Sequence, residues 1–181
     1  MFASGAHKII FTGPVGAGKT TAITSISDIP PISTEQMATD DTRNKKQMTT
    51  VALDYGMLKL DSGEVIHLYG TPGQERFNFM WEILTQGAIG IVILVDNANP
   101  DPLTDLRFFL TNFIDFIRGQ AVVVGITRAD IGQNSTLDEY YQVLKQFDLN
   151  PALFEVDARK QSDVVILVQS LLYTLDPGVA A

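Results

Sequence analysis

Cysteine is absent from this 181-residue chain. That absence excludes disulfides, thiol catalysis and cysteine-ligated zinc. Histidine is nearly absent: His7 and His67 are far apart, lack partners at ligand spacing, and read as structural. Basic residues are scarce, with 13 Lys and Arg against 21 Asp and Glu, a net charge of -8. An acidic surface argues against broad binding to nucleic acid or anionic membrane, which needs a positive field. No apolar run reaches the roughly 18 residues of a membrane-spanning helix. Met1 to His7 holds no apolar core of signal-peptide length, and neither a Met-Gly start nor a prenylation box is present. The expectation is a soluble, cytoplasmic protein with no direct membrane anchor.

What is present is a globular composition, 45% hydrophobic and 19% charged, of a length that suits one domain. Apolar runs alternate with helical stripes. Lys8 to Thr12 reads as a strand and Thr20 to Ile26 as a helix. Residues 28–47 are polar and aperiodic, a long loop of the kind that is usually functional or disordered. Thr50 to Leu58 alternates as a half-buried strand near an edge. The turn residues Asp61-Ser62-Gly63 return it as Val65 to Tyr69. Arg76 to Gln86 carries Phe77, Met80, Trp81 and Leu84 on one helical stripe, with Phe79 and Ile83 on another face. Ala88 to Val95 and Ala121 to Ile126 are continuous apolar runs, the mark of strands buried on both faces. Helices follow at Leu103 to Ile117, with Asp101 as N-cap, and after the capping box Thr136-x-x-Glu139. Ala152 to Val156 is the last strand and Asp163 to Leu175 the last helix. Six strands alternating with five helices predict an α/β fold: a mostly parallel six-stranded sheet with helices on both faces.

The most specific motif is Gly13-Pro14-Val15-Gly16-Ala17-Gly18-Lys19-Thr20, which satisfies G-x-x-x-x-G-K-[ST] between a strand and a helix. Its glycines let backbone N–H groups turn inward around a phosphate. Lys19 supplies a point charge for the outer phosphates, and the Thr20 hydroxyl is placed for Mg²⁺. Val15, Gly16, Ala17, Gly18, Lys19, Thr20 and Thr21 are therefore nucleotide-binding candidates along with Gly13.

Two further segments carry a resemblance. Thr127-Arg128-Ala129-Asp130, after a buried strand, resembles the guanine-reading N/T-K-x-D motif of Ras-like GTPases. A carboxylate at Asp130 can accept both N1–H and N2–H of guanine, a pair that adenine does not offer. Asp157-Ala158-Arg159 looks like the S-A-K loop of the same family, with the Ala158 N–H toward the base. Gly70-Thr71-Pro72-Gly73-Gln74 resembles the second switch, D-x-x-G-Q. The resemblance implies that Gly73 presents its N–H to the γ-phosphate and that Gln74, with Lys19, is catalytic, Gln74 by orienting water. The family's Mg²⁺-side Asp is Gly70 here, which implies a weaker outer shell for the metal. Asp96, ending an apolar run, either compensates from a neighbouring strand or bonds loop N–H groups. Thr49 and Thr50 both qualify as the first-switch threonine. Thr50, directly before the alternating strand, is the preferred metal ligand beside Thr20.

Taken together, T-P-G-Q-E-R-F-x-F-M-W, Gly70 and T-R-A-D look like bacterial Ras-like GTPases of the MglA and conservon types. That likeness implies a P-loop NTPase sandwich forming a single GTP-binding domain over residues 1–181. It implies a GTP/GDP switch with Mg²⁺, slow intrinsic hydrolysis, and a regulatory partner, possibly of Roadblock/LC7 type. The rival readings are a pseudo-GTPase scaffold, kept open by Gly70 and Val15, and a P-loop kinase, which would need an arginine-bearing lid.

Overall fold

The computed structural model describes residues 7–33, 53–73, 79–132 and 134–176. In chain order its strands are β1 (His7–Thr12), β2 (Ile32–Ser33), β3 (Asp54–Lys59), β4 (Val65–Gly70), β5 (Gly90–Asp96), β6 (Ala121–Thr127) and β7 (Ala152–Val156). Its helices are α1 (Lys19–Ile26), α2 (Phe79–Thr85), α3 (Pro102–Ile117), α4 (Leu137–Gln146) and α5 (Gln161–Leu175). The strands form one sheet in the order β2-β3-β4-β1-β5-β6-β7. β4, β1, β5, β6 and β7 run parallel to their neighbours. The β2-β3 and β3-β4 pairs are antiparallel. This is the α/β sandwich expected. The two-residue β2, inside the segment read as loop, extends the sheet by one short edge strand.

Helices cover both faces because the central strands are apolar on both. All seven residues of β5 are buried. On one face Ile9, Phe11, Val92, Leu94 and Val123 pack against α1 and α5. On the other, Ile10, Ile91, Ile93 and Val124 pack against α2, α3 and α4. Trp81 of α2 is 3% exposed, with its ring centroid 5.0 Å from that of Phe113 and 5.4 Å from that of Phe109. The cap signals read correctly: Asp101 accepts from the Thr104 N–H, and Thr136 and Glu139 form a reciprocal capping box. On α4 the buried stripe is Tyr140, Val143 and Leu144. Leu137, the first residue of α4, stays exposed, while Val143 is buried in its place nearer the centre of the helix.

The hairpin β3-β4 is half-buried and lies near the edge of the sheet, as its alternating pattern implies. Asp54, Gly56 and Leu58 share the face toward α1. A Cβ at Gly56 would lie 2.7 Å from Ile23 Cγ2, so only glycine lets α1 approach so closely. The outer edge of β3 is covered beyond β2 by the end of α1. Asp28 N–H donates to the Met57 carbonyl at 2.7 Å, and Met57 N–H donates to Ser27 Oγ at 3.1 Å. Lys59 N–H donates to Asp28 Oδ2 at 2.6 Å.

Candidate functional site

The glycine-rich segment turns between β1 and α1 as its sequence requires. Gly13 has φ 140°, and a Cβ there would fall 2.1 Å from the Leu94 carbonyl oxygen. Gly18 caps α1 in the left-handed region at φ 95°. No side chain caps this helix, so its first-turn N–H groups and positive dipole end face outward together. Lys19 is buried, donating to the carbonyls of Gly13 at 2.8 Å and Pro14 at 2.7 Å. Burial pulls its ammonium down to about 8, with the Asp54 charge acting in the opposite sense. Val15 is 66% exposed at the lip of the loop, and Thr21 is exposed on α1.

Gly73 lies directly on this loop. A Cβ there would be 2.7 Å from Val15 N and 2.9 Å from Lys19 Nζ. The segment before it is held by the Thr71 N–H, which donates to the Phe11 carbonyl, and by a 2.8 Å contact between the Thr12 and Thr71 hydroxyls. Trp81 Nε1 donates to the Pro72 carbonyl, fixing the other side. Gln74, Thr49 and Thr50 lie outside the described residues, as do Phe77 and the side chain of Phe79. Ile83, on the same helical face as Phe79, is 57% exposed.

The carboxylate beside Thr20 comes from a residue that sequence reasoning missed. Thr20 Oγ1 donates to Asp54 Oδ2 at 2.5 Å. Asp54 pairs with Gly70 across the β3-β4 hairpin. A Cβ at Gly70 would lie 3.0 Å from Asp54 Cβ and 3.2 Å from its Oδ2. The missing side chain at Gly70 thus clears the space that the Asp54 carboxylate uses. The register itself follows by counting back from the turn at residues 61–63, but what the pairing does shows only in three dimensions. Thr20 and Asp54 offer adjacent hard oxygens, a donor set that suits Mg²⁺. Asp96 is not part of it. One of its oxygens accepts from Ala98 N–H at 3.0 Å and the other pairs with Arg128. Among the described residues there is no cluster of three or more His, Asp or Glu that could hold a metal by itself.

The two segments expected to face the base converge on the same loop. Thr127 Oγ1 donates to the Ala17 carbonyl at 3.0 Å. Arg128, at φ 55°, donates from Nη2 to the Gly16 carbonyl at 2.7 Å. Ala158 Cβ lies 3.0 Å from where a Cβ on Gly18 would be. Arg159 grips Asp157 with two 2.9 Å hydrogen bonds, which hold the Asp157 carboxyl down at about 2. The Asp130 charge also reaches Arg159. Asp130 itself is exposed on the turn between them.

Comparison with known proteins agrees with a nucleotide-binding chain. A family model described as conserved hypothetical ATP binding protein matches residues 30–176. A second, described as magnesium chelatase subunit ChlI, matches residues 1–58, the stretch with the phosphate loop. The chain is 26% identical over 135 residues to an uncharacterized protein of Methanocaldococcus jannaschii, covering 74% of this chain and 77% of that one. It is 24% identical over 166 residues to the GTP-binding protein ypt1 of Schizosaccharomyces pombe, covering 87% and 73%. It is 22% identical over 183 residues to the Ras-related protein Rab-8A of Bos taurus, covering 96% and 78%. The last two are distant likenesses to a GTP-binding protein and a Ras-related protein. No helix among the described residues is long and apolar enough to cross a membrane.

Proposed function

We propose, for a chain that belongs to the family described as conserved hypothetical ATP binding proteins, that the nucleotide it takes is GTP or GDP and that it works as a single-domain switch. The observation that carries this reading is Asp130. Among the described residues its carboxylate takes part in no side-chain hydrogen bond, and it sits on a turn tied to the phosphate loop through Thr127 and Arg128. A carboxylate there pairs with the N1–H and N2–H of guanine and would face the N1 lone pair of adenine. The Arg128 stem, packed beside the loop, has the planar head needed to stack on a base.

The roles of the remaining residues follow from where they sit. The N–H groups from Gly13 to Thr21 would ring the phosphates, and Lys19 would meet the β- and γ-phosphate oxygens. Thr20 and Asp54 would hold Mg²⁺, Thr20 as a direct ligand and Asp54 through the shell around it, with Thr50 joining from the first switch. When bound, the ion supplies neutralising charge to the phosphates during transfer. Gly73 would offer its N–H to the γ-phosphate, and Gln74 would orient the attacking water. Val15 is β-branched and stands exposed at the lip of the phosphate loop, where the resemblance would bring the catalytic Gln, so hydrolysis by the isolated chain is expected to be slow, on the order of 10⁻³ s⁻¹ or below. A regulatory protein that orders this site would then set the rate. The Roadblock/LC7 type is the partner that the resemblance carried by the run from Thr71 to Trp81 implies, and Ile83 would offer it an exposed apolar contact.

Titration calorimetry with GDP and ADP in Mg²⁺ buffer tests the reading. GDP is expected to bind far more tightly than ADP, and Asp130→Asn to shift preference toward xanthosine diphosphate. Equal affinity for GDP and ADP in the unmodified chain would refute it. Single-turnover GTP hydrolysis tests the water-positioning role: Gln74→Leu is expected to lower it, and an unchanged rate assigns that role elsewhere.

A further inference from the structure

At the C-terminal end of β5, two consecutive residues organise the turn that carries Asp130. The turn runs from Thr127 to Gly132 and is closed internally by Gly132 N–H, which donates to the Arg128 carbonyl at 2.9 Å. Asn97 holds it at both ends. Its backbone N–H donates to the Thr127 carbonyl at 2.9 Å, and its Nδ2 donates to the Gly132 carbonyl at 2.6 Å. The same Nδ2 reaches the Ser135 carbonyl at 3.2 Å. The preceding residue, Asp96, pairs with Arg128 inside the turn. Asn97 is 4% exposed, and a Cβ on Gly132 would lie 2.3 Å from the Asn97 carbonyl oxygen, so the turn is pressed directly onto it.

The amide of Asn97 is itself locked. Tyr140 of α4 is fully buried and donates from Oη to Asn97 Oδ1 at 2.8 Å. The Gly132 and Ser135 carbonyls can only accept, so the amide nitrogen must face the turn and the amide oxygen is left to take the Tyr140 hydroxyl proton. Burial, and then the nearby Asp96 charge, push the Tyr140 hydroxyl upward, so it stays a donor across the physiological range. A buried polar network in which every member is satisfied fixes one geometry and tolerates no other cheaply.

We infer that Asn97, oriented by Tyr140, is a positioning residue that sets base specificity by holding the Thr127–Gly132 turn so that Asp130 addresses the base. The inference rests on the guanine reading of Asp130. Neither side chain touches the nucleotide; both act through the turn.

The test measures dissociation constants for GDP and ADP by calorimetry in Mg²⁺ buffer for the unmodified chain, Asn97→Ala, Tyr140→Phe, Asp130→Ala and the Asn97→Ala/Asp130→Ala double variant. Asn97→Ala is expected to weaken GDP about tenfold, the size of a lost charge-assisted hydrogen bond, while ADP affinity moves less than about twofold. Tyr140→Phe removes only the hydroxyl and is expected to give a smaller loss of the same selectivity, which keeps the test readable if Asn97→Ala does not fold. In the Asp130→Ala background the Asn97 change is expected to have no further effect on GDP, because the two act as one unit. A general structural role would lower GDP and ADP affinity together and add to the Asp130→Ala loss; either result overturns the inference. A GDP preference fully retained in both Asn97→Ala and Tyr140→Phe overturns it alone. Equal binding of GDP and ADP by the unmodified chain overturns the guanine reading and this inference with it.

Discussion

Lys19 shows how a single residue makes the site sensitive to pH. Its ordinary value of 10.5 falls to about 8 in the folded chain, chiefly through burial. Below pH 8 both folded and unfolded chains hold this proton, and the folded chain carries a buried cation. Between about 8 and 10.5 the unfolded chain binds a proton that the folded chain does not, so stability rises with pH through that window. Nucleotide affinity is expected to move the other way. Phosphate oxygens favour the charged ammonium, so binding above pH 8 must take up a proton. Calorimetry of GDP binding from about pH 7.5 to 9, in buffers of different ionisation enthalpy, is expected to show affinity falling with proton uptake, by up to about tenfold per pH unit past 8. Lys19→Met is expected to bind weakly and lose that slope. A second residue-scale expectation concerns the exchanged carboxylate. Gly70→Asp alone puts two carboxylates against each other and is expected to weaken Mg²⁺-dependent GTP binding, as is Asp54→Gly. The double variant Asp54→Gly/Gly70→Asp is expected to recover much of it, measured as the EDTA-sensitive part of nucleotide release. Additive loss in the double variant would show that Asp54 does not serve the metal. Lys19 was legible because its whole motif is contiguous. Asp54 was not, because its meaning lies in a cross-strand register and in the absence of a side chain 16 residues away, at Gly70.

At the scale of elements, local chemistry was the most readable part of the chain. The capping box of α4 works through neighbours three positions apart, so Thr136 and Glu139 announced the helix without any knowledge of the fold. The Thr136 N–H donates to Glu139 Oε2 at 2.8 Å, and those hydrogen bonds hold the Glu139 carboxyl below its usual range. Thr136→Ala is expected to cost about 1 kcal/mol in urea unfolding, with the m-value unchanged. Asn97 was illegible for the opposite reason. Its side-chain partners Gly132 and Tyr140 lie 35 and 43 residues away, on a loop and on another helix. The stripe on α2 shows an intermediate case. Trp81 and Leu84 are buried as their spacing implies, and Ile83 points outward, but the anchor from Trp81 Nε1 to Pro72 is a tertiary contact that no periodicity encodes.

Across the whole molecule, the parallel centre of the sheet is what brings the phosphate loop, the Asp130 turn and Ala158 to the same end of neighbouring strands, as ligand sites in open α/β sheets require. Two glycines let α5 sit close to that centre. A Cβ at Gly90 would fall 2.7 Å from Leu171 Cδ2, and one at Gly125 would fall 3.0 Å from Leu167 Cδ1 and 2.8 Å from Leu94 Cδ2. Gly125→Ala is therefore expected to destabilise the chain by about 1–3 kcal/mol through overpacking, read from denaturant unfolding, and the smaller Leu167→Ala in the same chain is expected to return part of it. The two rims of the sheet differ in what they permit. On one side β2, Ser27 and Asp28 already occupy the hydrogen-bonding positions of β3. Among the described residues no strand pairs with the far side of β7. A strand from another molecule would thus find the hydrogen-bonding positions of β3 already taken on the hairpin side, whereas among the described residues those on the far side of Ala152–Val156 are taken by no strand.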